Sequence, residues 1–66
     1  MAKKNKKQYR MLTVREAVAL VNAGVKGIEV DDGGTWIYPS NLYRFKEHDE
    51  HYFYINEGNV YRVEVE

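Results

Sequence analysis

The stretch Thr13-Val14-Arg15-Glu16-Ala17-Val18-Ala19-Leu20-Val21-Asn22-Ala23-Gly24 carries the start, the apolar face and the stop of one helix. Thr13 followed three residues later by Glu16 fits a capping box, in which each side chain satisfies a free amide at the helix start. Val14, Ala17, Val18 and Val21 recur at helical spacing, Leu20 widens the stripe and Met11 extends it backwards. Gly24 stands where a left-handed residue ends a helix, and Val25 can fold back onto Leu20. A helix over 13–23 is expected. So short a helix is marginal alone in water, so its stability must come from packing.

The remainder of the chain is built to cover that stripe. After Gly24 helical spacing gives way to alternation, and 27–30 reads as a strand with Ile28 and Val30 on one face. Asp31-Asp32-Gly33-Gly34 is a hairpin turn, because Asp-Gly and Gly-Gly supply the positive φ that tight turns require. A loop of two or four residues sets Val30 opposite Thr35, with Ile37 inside and Trp36 and Tyr38 turned away. Pro39-Ser40-Asn41 ends the return strand. A third strand is expected over 42–46, a turn at His48-Asp49-Glu50, a fourth strand over 52–55, a turn at 56–59 and a fifth strand over 60–66. Tyr61, Val63 and Val65 alternate with Arg62, Glu64 and Glu66, which puts the apolar set inside. By the same logic Tyr43, Phe45, Phe53 and Ile55 point in. Residues 9–12 add a short edge strand. The expected fold is α+β: one N-terminal helix on a four- to five-stranded antiparallel meander, with closure into a small barrel as an alternative.

Sixty-six residues leave room for one domain, over 9–66, preceded by an arm over 1–8 without periodicity that reads as disordered. So small a chain buries little surface and has no cysteine to staple it, so six Tyr, two Phe and one Trp must supply the buried area. The lack of cysteine also suits a reducing compartment, and no apolar run reaches membrane-spanning length. A cytoplasmic protein with no membrane partner is expected. The short length, Lys-rich start and lack of cysteine resemble small phage or mobile-element reading frames in composition alone.

The zero net charge hides an asymmetry. Lys3, Lys4, Lys6, Lys7 and Arg10 give residues 1–10 a charge of +5, which leaves the remainder at −5. This basic arm reads either as a solvated tail or as a binding device. Under the strand assignments above, Trp36, Tyr38, Tyr52 and Tyr54 share the face away from the helix with Arg44, Lys46 and Arg62. A contiguous aromatic and cationic surface usually marks a contact site, whereas barrel closure would bury Trp36 instead.

Candidate chemistry is sparse. His48-Asp49-Glu50-His51 has metal-ligand residue types but no second group of ligands, and reads as a solvated turn. Ser40 is the only serine, no elbow surrounds it, and Gly33-Gly34 has neither phosphate-loop spacing. No catalytic residue, metal or cofactor is therefore assigned. The expectation is a non-enzymatic module that regulates or inhibits a protein partner through the aromatic sheet face or a strand edge, with homodimerisation through that face a further outcome. The alternative is a nucleic-acid binder that stacks bases on the same aromatics and holds phosphates with the arm. Against the alternative stands the acidic body. A helix-turn-helix fails at Glu29, Asp31 and Asp32, where base-reading residues would be needed.

Overall fold

The computed structural model describes residues 7–45 and 47–65. In chain order the elements are β1 (Gln8–Leu12), α1 (Val14–Asn22), β2 (Glu29–Asp32), β3 (Thr35–Ile37), α2 (Ser40–Arg44), α3 (Glu50–Asn56) and β4 (Tyr61–Val65). Helix α1 forms as its sequence dictates. The Thr13 hydroxyl accepts from the Glu16 amide at 3.2 Å, and the Glu16 carboxylate accepts from the Thr13 amide at 2.9 Å. That amide bond also holds the Glu16 carboxyl below its ordinary pKa. At the other end Gly24 has φ +89°, its amide bonds Val21 O, and the Val25 amide bonds Leu20 O. This pair of bonds is a Schellman motif. A Cβ at Gly24 would meet nothing within 4 Å, so Gly24→Ala costs only the backbone strain of a left-handed residue. We expect a loss of about 1 kcal/mol, read from the shift in urea midpoint.

The sheet is four-stranded, antiparallel throughout, and ordered β1-β4-β2-β3. The last strand lies in the middle, so the chain does not run as a meander. Among the described residues β1 and β3 each pair on one side only, so the sheet stays open instead of closing into a barrel. The hairpin has the two-residue form, with Gly33 and Gly34 both at positive φ (64° and 93°). Thr35 pairs with Asp32 and Val30 with Ile37, two residues from the expected register. An even shift preserves the faces, so Val30 and Ile37 still share one side and Trp36 takes the other.

Two expected strands are helices. Residues 42–46 were to form the third strand, yet Ser40–Arg44 is α2 and ends at Phe45. Pro39 sets its start with a φ already suited to a first helical turn. Leu42 alone is fully buried there, while Tyr43 is half-buried and Phe45 is exposed. Residues 52–55 were to form the fourth strand, yet they lie within α3. The supposed turn at His48-Asp49-Glu50 is the cap of α3: the Asp49 carboxylate accepts from the Tyr52 amide at 2.9 Å, and Glu50 favours the positive end of the helix. Tyr52 and Asn56, one turn apart, are its buried residues. Asn56 donates to Tyr52 O at 2.9 Å and accepts from Asn59 at 3.0 Å, so its polarity is satisfied inside.

The three helices lie on one side of the sheet. Leu12, Val14, Ala17, Val18, Ile28, Leu42, Tyr52 and Tyr61 form the core between the layers. Tyr43 joins them, since its hydroxyl accepts from the Ile28 amide at 3.2 Å and donates to Val25 O at 3.1 Å. Val63 and Val65 share the face of Tyr61, but burial fades along β4 and Val65 is exposed. The disordered arm expected over 1–8 falls outside the described residues except at its end, where Gln8 already pairs with Val65.

Candidate binding surface

Alternation along the strands sends Tyr9 and Met11 of β1, Arg62 and Glu64 of β4, Glu29 and Asp31 of β2, and Trp36 of β3 away from the helices. At the centre the Arg62 guanidinium carbon lies 3.8 Å from the Tyr9 ring centroid and 4.2 Å from that of Trp36. Arg62 Nε donates to Glu29 Oε1 at 2.8 Å. The Arg62 side chain is 19% exposed, so these contacts are shielded from solvent and stronger than surface ion pairs. One arginine thus ties residues of all four strands into a row. Met11 lies beside it, more than half exposed. Lys7 and Glu64 sit 3.9 Å apart at the end of the row.

Of the expected site residues, Trp36 and Arg62 are brought together. Tyr38 is exposed just past β3 and stacks on Tyr43, with centroids 5.3 Å apart and rings 6° from parallel. Arg44 is exposed on α2, on the helical side of the molecule. Lys46 lies outside the described residues. Tyr52 and Tyr54 are on α3 and not on the sheet face, because the assumed strand there does not exist. Tyr52 is 6% exposed and belongs to the core, whereas Tyr54 is 75% exposed. Tyr54 borders a cleft of about 390 Å³ shared by Arg15, Glu50, Phe53 and Glu57. There Arg15 lies 4.3 Å over the Phe53 ring and bonds Glu50 at 2.7 Å, the contact that chiefly raises the Arg15 pKa. The expected single aromatic surface is therefore divided among the sheet face, the core and α3.

Tyr9 and Glu29 complete the row without having been expected there, and Met11, expected to extend the apolar face of α1, lies instead on β1, turned away from the helices and 55% exposed. The alternation of Tyr9 and Met11 across a short edge strand was the available signal. Of the basic arm, Lys3, Lys4 and Lys6 lie outside the described residues, while Arg10 is exposed 3.6 Å from Glu16. In the His48-Asp49-Glu50-His51 run, Asp49 caps α3, Glu50 binds Arg15, and His48 Nε2 lies 3.1 Å from Leu42 O. Among the described residues no group of three or more His, Cys, Asp or Glu could hold a metal ion, and no helix is long and apolar enough to cross a membrane.

Fold and surface together define a two-layer α+β domain with helices on one face and an aromatic–guanidinium row on the other. Compared with protein-family models, curated proteins and solved structures, the chain matches none.

Proposed function

We propose that this chain is a non-enzymatic module that binds a protein partner through the outward face of its sheet, and regulates or inhibits that partner by occupying it. The observation that carries the reading is the row Tyr9–Arg62–Trp36 with Met11 beside it, on a face that none of the three helices covers. Tyr, Trp, Met and Arg are the residue types in which binding energy concentrates when a partner excludes water. The row is also pre-ordered, because Arg62 is clamped by Glu29 before any partner arrives, and that lowers the entropy cost of association.

The same geometry disfavours nucleic acid on this face. The guanidinium is already neutralised by Glu29, and Asp31 and Glu64 add two carboxylates to the surface a phosphate would approach. An enzyme is disfavoured by the position of its few reactive groups. Ser40 opens α2 at the surface, and His48 has one ring nitrogen on a backbone carbonyl and the other buried.

Trp36 is the only tryptophan, so its emission reports on this face alone. Tagged full-length chain incubated with lysate of its native cells should retain a protein that Trp36→Ala and Met11→Glu chains do not. Titrating that protein should shift the Trp36 emission. Loss of the anchor should weaken binding about 30-fold or more. Equal retention by both folded variants would overturn the reading, and so would nucleic acid as the retained material.

A further inference from the structure

The free edge of the strand that supplies Tyr9 and Met11 to the outward sheet face points to the chemistry of a second contact. Strand β1 is at the edge of the sheet and pairs with β4 through all five of its residues, Gln8 to Val65 through Leu12 to Tyr61. It contains no proline, and the described residues include no non-glycine at positive φ. The other edge, β3, is only three residues long and is closed by Pro39. An even, five-residue edge directs alternate amides and carbonyls outward, where an added strand can bond them.

Charge identifies that strand. Residues 1–10 carry five cations and no anion, and two of these cations, Lys7 and Arg10, flank and occupy β1. Their side chains are 65% and 60% exposed, and their ion pairs, at 3.9 and 3.6 Å, are long. Pairs so exposed contribute little, so both cations can be redirected at small cost. The inner side of β1 shows what it accepts. There β4 presents alternating Val63, Glu64 and Val65, with Glu64 against Lys7.

We infer that the outer edge of β1 takes up an extended acidic segment of a partner protein, one alternating carboxylates with β-branched residues, as an added strand. A second copy is the wrong occupant. Strand β1 carries no carboxylate, so a second β1 could offer Arg10 no opposite charge in any register, and pairing centred on Arg10 would oppose two like charges, which is destabilising.

The surface is separable from the sheet-face reading, because Arg10 lies on the helical side of the sheet and Trp36 on the other. The probe is an eight-residue, end-blocked peptide alternating Val and Glu, labelled for fluorescence anisotropy with the full chain. Hydrogen exchange of the β1 amides is followed in parallel. The peptide should bind, slow the outward β1 amides, and weaken about tenfold on Arg10→Glu and less on Arg10→Gln, in keeping with a close charge pair. Tyr54→Ala, at an exposed residue of α3 away from the sheet, should leave it unchanged. No protection in β1, equal binding by the Lys-for-Glu peptide, or full affinity in folded Arg10→Glu would each overturn the inference. Displacement of the peptide by a single-stranded oligonucleotide that protects no β1 amide would also overturn it, and would assign the basic arm to phosphate.

Discussion

Leu42→Ala should lower the stability of this protein by about 3 kcal/mol and the urea midpoint by about 2–3 M, since small domains lose roughly 1–1.5 kcal/mol per molar urea. Leu42 is 0% exposed, within a core cluster of eight buried residues among those described. Helix α2 has five residues, and Pro39 at its N-cap offers no side-chain bond to the free amides, so the helix persists because Leu42 is docked. Truncation removes the transfer free energy of the side chain and leaves a cavity as well. A domain of this size holds roughly 3–10 kcal/mol in total, so the loss is a large share of it. Phe45→Ala, at a ring 51% exposed one residue beyond the helix, is the control and costs about 1 kcal/mol or less. Circular dichroism against urea checks both. Equal midpoints for the two variants would show that α2 does not seal the core.

Legibility followed how many independent signals each segment carried. Helix α1 had a capping box, a stripe and a terminal glycine, and all three agree in the structure. The glycine pair fixed the hairpin, and the strict alternation of apolar and charged residues fixed the face of β4. Helices α2 and α3 span five and seven residues, too few for helical period to outweigh alternation. Tyr43 and Phe45 alternated with Arg44 and Lys46 by chance, and the Tyr-Phe-Tyr-Ile run of α3 has the composition of a strand. The i, i+4 partner of Tyr52 is Asn56, a polar residue that no apolar pattern would place in a core. Tertiary packing decided these segments.

The site inherits that division. Trp36 and Arg62 were legible because parity in a strand survives an error of two in register. Tyr52 and Tyr54 do not share that surface, because alternation predicts a strand where packing makes the helix α3. Glu29 was hidden because its partner lies in the strand that crosses from the end of the chain to the middle of the sheet.

Alkaline unfolding should be steep in this protein and should flatten in Tyr52→Phe. Burial, then the neighbouring Tyr61 phenol, pushes the Tyr52 hydroxyl from its ordinary value near 10 up to about 12. A raised folded-state pKa favours the protonated phenol, so its contribution is fully present below the unfolded value. Above pH 10 the unfolded chain releases a proton that the folded chain keeps, and stability falls until the folded phenol titrates near 12. The slope is about 1.4 kcal/mol per pH unit, or roughly 3 kcal/mol across the window, within the scale of the whole domain. A phenylalanine ring in its place cannot ionise, so the variant should lose that slope. At neutral pH it should be as stable as the parent or more so, because the Tyr52 hydroxyl is buried without a hydrogen-bond partner among the described residues. Urea midpoints of both chains from neutral pH upward, with phenolate absorbance followed on the folded protein, provide the measurement. Parallel curves would mean that Tyr52 ionises in the folded chain, and therefore that water reaches the seam where α3 meets Tyr61.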